Sequence, residues 1–552
     1  MFVFHSTLFY SINTKVFVMK PVNKKSKTIF DFKIPTLNTT LFKIPEIFPP
    51  ISKKKKPITQ IINSPEIFPK KKLITLINPP TIDLSIKRKK SKIKPKIRRA
   101  SIIPFKGKEY DIQSPNNIKK IATILNAAGS RTYIVGGYVR DILLDKKPKD
   151  VDLEVHGLTI EEISYILRSH GYKLDEVGKS FGVLKVKCPD TGEIIDVAVP
   201  RTDSTGRKPE VSFLKSATPY DAAKRRDLTI NSIMLDVSNN QIVDPFNGIV
   251  DLERGNIKHV SNESFSDDPL RTVRAAQFAA RFGFTIDPET KRLARSVDSS
   301  KMAPERVTEE MRKVFEKSHK PSIFFQELDE MGQLEKLFPE VKQLQNVKQD
   351  PIHHPEGSAY VHTMQVMDRV ASSDKRKLEM LVSALFHDIG KINTTMEDPE
   401  TKRIHARGHE IESEKLAAKI LAKYKFTSNE IKDILSVIKH HMKPHSLVNE
   451  NASKLRHKNK LIREICTPKH MMKDPSGSIK RYCDVIDFAK HDHDRDAEKY
   501  EELKNLPPVE HYVPEVTGQD LIDMGFSGKE LGEKMEDLYL NQISQVKKKP
   551  IL

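Results

Sequence analysis

The sequence is poor in cysteine and lacks long uncharged apolar runs. Its 552 residues include three cysteines, Cys188, Cys466 and Cys483, whose spacing matches neither a disulfide scaffold nor a zinc site. No apolar stretch is long enough to span a bilayer, and residues 1–18 lack the basic segment of a signal peptide. These absences predict a cytoplasmic protein without a membrane anchor or a disulfide-linked partner. Targeting to an organelle by the N-terminal segment is left open.

The net charge of +20 belongs to one end of the chain. Residues 1–108 hold 22 Lys and 3 Arg against four acidic residues, and they hold 12 of the 34 prolines. Residues 109–552 are almost neutral, with 69 basic and 70 acidic residues. Because prolines and mutually repelling lysines oppose a packed core, a disordered, solvated tail is predicted over residues 1–108. The alternative is an arm that binds RNA or another partner by neutralising phosphates.

Beyond this tail, the hydrophobic pattern changes from alternating strands and helices to helices alone. It predicts a helix over 117–128 and strands over 131–136, 150–155, 183–188 and 193–199. From about residue 260 helical periodicity dominates. The predicted fold class is therefore α+β, an α/β head followed by an all-α remainder. The predicted domains are the tail, the head, a neck, a metal-binding helical domain and a C-terminal helical tail, at residues 1–108, 109–258, 259–345, 346–500 and 501–552.

A glycine turn and two carboxylates lie close together in the predicted head. The segment YIVGGYVRDILL places Gly136 and Gly137 between a strand and a helix, where glycine lets a phosphate approach the backbone and the helix N-terminus. On the next strand, Asp150 and Asp152 are two residues apart, so their carboxylates project from one face. Such oxygen ligands suit Mg²⁺ together with substrate phosphates. A pair of ions would activate a hydroxyl and stabilise a leaving pyrophosphate.

Two later segments contribute further candidates to this site. In EIIDVAVPR, Asp196 lies on a predicted strand and would complete the metal site, unless it pairs with Arg201 or Arg140 instead. In KRRDLTINSIMLD, arginines suit phosphates and an asparagine can contact a ribose. The candidates there are Arg226, Asp227 and Asn231.

These motifs, followed by DDPLRTVRAAQFAARFGF at 267–284, have the order and spacing of a known family. Over roughly residues 115–345 the chain resembles the class II tRNA nucleotidyltransferases, the bacterial-type CCA-adding enzymes with the related poly(A) polymerases. The resemblance implies a nucleotidyltransferase head of the DNA polymerase beta superfamily, followed by helical neck, body and tail. It implies that Asp150 and Asp152 hold the catalytic Mg²⁺. The nucleotide-binding residues that it implies in the head are Gly136, Gly137, Arg140, Arg226, Asp227 and Asn231.

The neck motif SDDPLRTVRAAQF carries the residues that the resemblance assigns to base selection. Asp268 and Arg271 are three residues apart and would share one side of a helix. In the resembled family this pair selects CTP or ATP without a nucleic-acid template, and Arg274 is assigned with it to nucleotide binding. A surface salt bridge is the alternative for the pair. The chain departs from the family in having Asp267 where glutamate is usual and Gln277 where arginine is common.

The helical half contains a second set of metal-ligand residues. His362 lies in a helix with an apolar period, HDIGK joins His387 to Asp388, and Asp492 follows much later. Imidazole and carboxylate suit a divalent transition metal, and helical bundles build such sites from separate helices. The residues expected to hold a second ion or a substrate phosphate are His409, His440 and His441.

This second pattern resembles the HD phosphohydrolases. HPEG at 354–357 is also typical of nucleotidyltransferases that carry an HD domain. The resemblance implies a phosphatase or 2′,3′-cyclic phosphodiesterase that uses a metal-activated water. The alternative is a vestigial domain that packs or orients RNA.

Together the motifs predict an enzyme that adds or repairs the 3′-terminal CCA of tRNA using CTP and ATP. A poly(A) polymerase or an A-adding enzyme is the alternative from the same family, although poly(A) polymerases of this class generally lack an HD domain. A second alternative is an HD phosphohydrolase with an inactive RNA-binding head, which the intact Asp150 and Asp152 oppose. A third is a non-catalytic protein that binds RNA through its basic tail.

Overall fold

The computed structural model describes residues 11–12, 15–16, 97–98, 102–176, 178, 182–203, 211–213, 215–373, 377–449, 454–466, 473–492, 497–504 and 513–545. The chain divides into two compact units, residues 1–90 and 91–552. In the first unit the described residues form two short antiparallel strands, β1 (Ser11–Ile12) and β2 (Lys15–Val16). Most of residues 1–108, for which disorder is predicted, lie outside the described ranges.

The second unit begins with an α/β head. Its strands are β3 (Ile97–Arg98), β4 (Ile102–Phe105), β5 (Lys108–Asp111), β6 (Arg131–Val135), β7 (Asp152–His156), β8 (Lys173–Asp175), β9 (Val183–Lys187), β10 (Ile194–Ala198), β11 (Arg201–Asp203), β12 (Val211–Phe213), β13 (Met234–Asp236) and β14 (Gln241–Val243). Its helices are α1 (Asn116–Ala127), α2 (Tyr138–Leu143), α3 (Ile160–Ser169), α4 (Pro219–Lys224) and α5 (Gly248–Arg254). The predicted helix and the four predicted strands are confirmed, except that β7 begins at Asp152, so Asp150 lies just before the strand.

Eight of these strands form one sheet, in the order β3-β14-β13-β6-β7-β10-β9-β8. The pair β7–β10 is parallel, whereas β6 and β9, on either side of this pair, run antiparallel to their neighbours. The central strands β6 and β7 are buried along almost their whole length, because α1 and α3 bring apolar residues such as Ile118 and Ile163 into the core. The start of β7 is therefore held by a rigid sheet.

The hairpin of β4 and β5 extends the head toward the N-terminus. Its turn residues, Lys106 and Gly107, both have positive φ, as a two-residue hairpin turn of this kind requires. Ile103 and Phe105 are buried in the core of the head. The predicted boundary between tail and head, at 108/109, therefore falls inside a folded hairpin.

Beyond the head the second unit is mainly helical, as predicted. The elements are β15 (Asn256–Ile257), α6 (Asn262–Asp267), α7 (Leu270–Phe282), β16 (Thr285–Ile286), α8 (Pro288–Arg295), α9 (Pro304–Lys317), α10 (Ser322–Glu330), α11 (Leu334–Leu337), α12 (Pro339–Gln343), α13 (Ala359–Ala371), α14 (Leu378–Phe386), α15 (Lys391–Thr394), β17 (Met396–Glu397), β18 (Ile404–His405), α16 (His409–Lys423), α17 (Ser428–His440), α18 (Lys443–Asn449), α19 (Lys454–Ile465), α20 (Pro475–Asp492), α21 (Ala497–Leu503), α22 (Gly518–Asp523) and α23 (Gly528–Ser544). The short pairs β15–β16 and β17–β18 are the exceptions that the sequence pattern did not predict.

Helix α9 joins the head side of the molecule to the later helices. Arg312 makes a two-pronged salt bridge with Glu430 at 2.7 and 2.9 Å, and Thr308 donates a hydrogen bond to the Tyr424 carbonyl. One continuous cluster of buried apolar side chains runs from the head to α23. None of the described helices combines the length and the hydropathy that a membrane crossing requires. The three cysteines are free thiols.

Candidate functional site

Two of the predicted carboxylates of the head lie on adjacent strands, one at the start of β7 and one in the middle of β10. Asp152 opens β7, and its register partner on the parallel strand β10 is Asp196. Gly136, at φ +76°, packs against Asp152, since a Cβ at this position would lie 3.0 Å from Oδ2 of Asp152. The glycine turn and the carboxylates therefore form one cluster. Asp196 lies 3.6 Å from Lys185, and the Arg201 side chain is outside the described part of the chain.

The electrostatics of this cluster favour a bound cation. Burial raises the pKa of Asp152, and the nearby charges of Asp196 and Asp150 raise it further, against the opposing effect of Arg226. A divalent cation would relieve this repulsion. Mg²⁺ usually binds a few carboxylates and takes its other ligands from water and substrate phosphates, so the residues present fit that ion without forming a closed protein cage.

Four of the predicted nucleotide-binding residues belong to one buried network. The Arg140 guanidinium donates to Asp141 at 2.8 Å and to Asn231, and Asn231 donates to Asp227 at 3.0 Å. Arg274, on α7, donates to Asp227 at 2.7 Å and holds the pKa of that carboxyl below its usual value despite its burial. The alternative that Arg140 pairs with Asp196 is wrong, because Arg140 is engaged within this network.

The contacts of Arg226 identify Glu154 as a site residue that the sequence did not predict. Arg226 lies 3.1 Å from the carboxylate of Glu154, which also lies 2.9 Å from Nε2 of His156. Nε of Arg226 is buried and has no hydrogen-bond partner among the described residues. Both side chains line a cavity of about 230 Å³. The signal was present in the sequence, because Asp152, Glu154 and His156 alternate along one strand and share a face.

The two base-selection candidates are held by different partners. Asp268 precedes α7 instead of lying on it, which corrects the prediction of a shared helix face, and its Oδ2 accepts a 2.8 Å hydrogen bond from Arg306. Arg271 donates to the backbone carbonyls of Arg225 and Arg226 at 2.6 and 3.2 Å. The side chain of Gln277 is buried, with an Nε2 that lacks a partner in the described part of the chain.

The second predicted site assembles from three separate helical segments. His362 lies on α13, His387 and Asp388 follow α14, and Asp492 ends α20. Nε2 of His387 lies 3.3 Å from Asp388 and 3.4 Å from Asp492, and Nε2 of His362 lies 3.0 Å from Asp492. All four side chains are almost completely buried. The predicted metal-ligand residues therefore converge on one point.

Asp388 also faces a second group of histidines. Its Oδ1 lies 3.2 Å from Nε2 of His409 and 4.0 Å from Nε2 of His441. These three residues bring ligand atoms within 4.8 Å of one another, as do His362, His387 and Asp388. His440 does not belong to either group: its Nδ1 contacts the Ser436 carbonyl, and burial lowers its pKa to about 4. The prediction that included His440 with His409 and His441 is wrong on this point.

The first group fits a divalent cation. Burial alone would lower the pKa of His387, but the carboxylates of Asp388 and Asp492 raise it to about 10. Nε2 of His387 is nevertheless buried without a hydrogen-bond partner among the described residues. A metal ion between this nitrogen and the two carboxylates would balance the charge and use the orphaned atom.

Two neighbours of these ligands were not predicted as site residues. Glu356, from the HPEG segment, lies 2.6 Å from Nδ1 of His362 and 3.0 Å from Nδ1 of His354. Nε2 of His445 lies 3.2 Å from Oδ2 of Asp492. Groups of this kind orient metal ligands through their second atoms. Beside the cluster lies a cavity of about 550 Å³, with residues of β18 along one wall.

Three family models match the chain in the order of these regions. A "Poly A polymerase head domain" matches residues 132–258, a "Probable RNA and SrmB- binding site of polymerase A" matches residues 283–344, and an "HD domain" matches residues 353–489. The first covers the carboxylate cluster, and the third covers His362, His387 and Asp388. Asp492 lies just beyond the third match.

Solved structures share the fold. A CCA-adding enzyme of Bacillus stearothermophilus in complex with CTP aligns with a TM-score of 0.52 at 20% identity, covering 77% of this chain and 92% of that one. A CCA-adding enzyme of Thermotoga maritima complexed with tRNA aligns with a TM-score of 0.50 at 20% identity, covering 79% and 94%. At this level of identity the likeness establishes the architecture, a nucleotidyltransferase head followed by helical domains.

Curated relatives are more similar in sequence. A multifunctional CCA protein of Nitrosomonas europaea is 40% identical over 294 residues, which are 52% of this chain and 67% of that protein. A multifunctional CCA protein of Pseudomonas fluorescens is 32% identical over 433 residues, which are 76% of this chain and 100% of that protein. Since the whole length of the Pseudomonas protein is matched, head and HD region together, the chain belongs to the multifunctional CCA protein family.

Proposed function

We propose that this chain adds or repairs the 3′-terminal CCA of tRNA with CTP and ATP, and that its HD domain hydrolyses phosphoesters. The observation that carries the first activity is the placement of Asp152 and Asp196 on adjacent parallel strands against the Gly136 turn. Family membership over both regions supports the pairing of two activities in one chain. The proposed domain limits are the predicted ones, with the head extended to include the β4–β5 hairpin.

In the head, the 3′-hydroxyl of tRNA attacks the α-phosphate of the incoming nucleotide and pyrophosphate leaves. Asp150, Asp152 and Asp196 would hold Mg²⁺, which supplies activation of the hydroxyl and neutralises charge on the phosphates. Gly136 and Gly137 give the triphosphate close access to the backbone. Arg226, fixed by Glu154, supplies positive charge beside the strand that carries Asp152. These groups act mainly by positioning and by charge stabilisation.

Base choice is proposed to rest on Asp268 and Arg271. Arg306 fixes the carboxylate of Asp268, and the backbone carbonyls of Arg225 and Arg226 fix the guanidinium of Arg271. The acceptor atoms of Asp268 and the donor atoms of Arg271 therefore have defined positions. A buried hydrogen-bond network holds α7 against the head. Its members are Arg140, Asp227, Asn231 and Arg274. Their proposed contribution to nucleotide binding therefore depends on the rigidity of this network.

In the HD domain, His362, His387, Asp388 and Asp492 would hold a divalent transition metal, which supplies an activated water. Asp388 also reaches toward His409 and His441, which would hold a second ion or contact a phosphate. Glu356 and His445 keep His362 and Asp492 in place. The proposed substrates are phosphate monoesters or 2′,3′-cyclic phosphates.

One experiment separates the alternatives. Purified protein is incubated with tRNA that lacks its 3′ end and with each labelled nucleoside triphosphate, singly and mixed. The proposal predicts addition of C, C and A followed by a stop. Continued addition of A would favour a poly(A) polymerase, and no incorporation by folded protein would overturn both transferase proposals. Hydrolysis of a 2′,3′-cyclic nucleotide is measured in parallel, with several divalent metals.

A further inference from the structure

Three side chains that line one cavity in the HD domain have hydrogen-bond donors left unpaired by the described residues. The cavity of about 550 Å³ beside Asp388 is lined by Lys391, Gln349 and Thr395, among other residues. Lys391 and Gln349 are 8% and 7% exposed, so they belong to the packed wall of the cavity and are not surface side chains. The proposed metal ligands do not include them.

The orientation of the Gln349 amide follows from its neighbour. Nζ of Lys391 donates to Oε1 of Gln349 at 2.6 Å. Because an ammonium group has no acceptor, the oxygen of the amide must face Lys391, and its NH₂ group must face away. This Nε2 is buried and has no hydrogen-bond partner among the described residues. Leaving a buried donor unpaired is unfavourable, so a ligand oxygen that accepts a hydrogen bond from it is bound more tightly.

Lys391 and Thr395 add donors to the same wall. Nζ of Lys391 also forms an ion pair with Oδ2 of Asp388 at 2.7 Å, and an ammonium group that donates to Gln349 keeps further N–H groups for a ligand. Oγ1 of Thr395, one helical turn further along the chain, is buried without a partner in the described part of the chain. The backbone of Thr395 is held by its own N–H, which donates to the Lys391 carbonyl at 3.1 Å. The wall thus presents an ammonium, an amide and a hydroxyl.

The rest of the cavity favours an anion. Lys348 and Arg407 line it together with several histidines. Of its acidic residues, Asp388 and Asp492 face the proposed metal, Asp350 lies 3.5 Å from Arg403, and Glu410 lies 3.8 Å from Nδ1 of His409. A ligand with several acceptor oxygens and no donors would satisfy the wall, and a phosphoryl group has this chemistry.

We propose that Gln349, Lys391 and Thr395 form a subsite that binds the non-bridging oxygens of a phosphoryl group. The proposal deepens the proposed HD hydrolase and rests on it: the substrate would be a phosphate ester, monoester or cyclic, whose phosphoryl oxygens lie between this wall and Asp388. Gln349 and Thr395 act here as binding residues. Lys391 links the subsite to the metal cluster, because it contacts both Gln349 and Asp388.

The test measures binding of inorganic phosphate to the full-length protein by calorimetry, with and without Mn²⁺. Thr395→Val removes the hydroxyl while keeping the shape, and Thr395→Ser keeps the hydroxyl. Gln349→Glu keeps an acceptor for Lys391 but replaces the NH₂ donor by an oxygen. The matched control is Thr394→Val, since Thr394 donates to the Gly390 carbonyl and does not line the cavity. Metal content, unfolding temperature and CCA addition are recorded for each variant.

Loss of one hydrogen bond to a charged phosphate should weaken binding about tenfold or more. Thr395→Val and Gln349→Glu are therefore expected to raise the dissociation constant for phosphate by that factor, with wild-type metal content, whereas Thr394→Val and Thr395→Ser bind as the wild type does. Equal binding by all variants, or no binding of phosphate by the wild type, would overturn the subsite. A protein that binds phosphate in this way but hydrolyses no phosphoester would instead overturn the proposed HD hydrolase and leave the subsite standing.

Discussion

Asp152 and Asp196 are register partners on adjacent parallel strands, and burial together with this neighbour raises the pKa of Asp152. The folded protein therefore disfavours the ionised carboxylate that metal binding requires. Such a conflict between stability and activity is common at active sites. A bound cation resolves it, which ties the stability of the head to the metal.

Asp152→Asn should consequently stabilise the metal-free protein while abolishing nucleotide addition. Because the folded pKa of Asp152 is raised, its ionisation lowers stability at pH values above that pKa and has no effect well below the usual value of 3.8. At pH 7 in a chelator, the variant should unfold at a slightly higher temperature than the wild type, and the gain stays small because solvent screens the charge of the partly exposed Asp152. Incorporation of CTP and ATP should fall roughly a thousandfold or more.

The matched control for this change is Asp190→Asn, which removes an exposed carboxylate from the turn between β9 and β10, where it pairs with Lys120 at 2.5 Å. It should leave both the unfolding temperature and the nucleotide addition nearly unchanged. An Asp152→Asn protein that is less stable than the wild type in chelator, or that still adds nucleotides, would contradict the proposed metal site.

Asp268→Ala should damage the choice of nucleotide more than the chemistry. The Asp268 carboxylate is held by Arg306 at 2.8 Å and is not one of the proposed Mg²⁺ ligands, so its loss keeps Asp152 and Asp196 in place. We expect the preference for CTP and ATP over UTP and GTP to fall by about tenfold or more, as measured by incorporation from each triphosphate alone. The control is Glu263→Gln, an exposed residue of the preceding helix α6. Unchanged discrimination would remove Asp268 from base selection.

Asp388→Asn should separate the two activities. Asp388 lies between His387, His409 and Lys391, far in sequence from the head carboxylates. Phosphoester hydrolysis should be lost together with bound transition metal, measured by elemental analysis, whereas CCA addition should stay within about twofold of the wild type. Chelation of the wild type should lower its unfolding temperature, since an ion that binds only the folded state stabilises it. Loss of nucleotide addition by folded Asp388→Asn protein would refute the division into two independent sites.

The sequence was sufficient where the chemistry lay in local patterns. The strands with Asp152 and Asp196 and the convergence of His362, His387, Asp388 and Asp492 were predicted from periodicity and motif order. The residues that contact these ligands, such as Glu356 and His445, were not predicted, because the identity of a single glutamate or histidine does not indicate which residues it contacts. His440 failed for a geometric reason: neighbours on a helix point about 100° apart, so only His441 of the pair can face Asp388.

The salt bridge between Arg312 and Glu430 should make the contact between α9 and α17 sensitive to acid. The hydrogen bonds from Arg312 hold the pKa of Glu430 at about 2, compared with 4.5 for the free group. Since this folded pKa is lowered, the stabilisation is complete above pH 4.5 and is lost as the pH falls toward 2. Arg312→Met should cost about 1–3 kcal/mol at pH 7, and its difference from the wild type should vanish near pH 2.

Thermal unfolding of both proteins from pH 7 to pH 2 measures this difference. The control is Glu414→Gln, which breaks a more exposed pair with Lys439 on the same helix α17 and should cost less than about 0.5 kcal/mol. A difference between Arg312→Met and the wild type that does not change with pH would show that packing of Arg312 over the Phe426 ring, and not the charge, stabilises the contact.

The basic N-terminal segment can be tested by deletion only if the cut respects the folded head. Removal of residues 1–108 would take away Ile103 and Phe105, which are buried in the core, so reduced tRNA binding by that variant would report misfolding. Removal of residues 1–90 deletes the first compact unit and a net charge of +14, while leaving the β4–β5 hairpin intact. If the segment contacts RNA phosphates, the shorter deletion should weaken tRNA binding and reduce the slope of log affinity against log salt by about one for each lost contact. An unchanged slope, with unchanged CCA addition, would mean that the charge that dominates the composition has no part in holding tRNA.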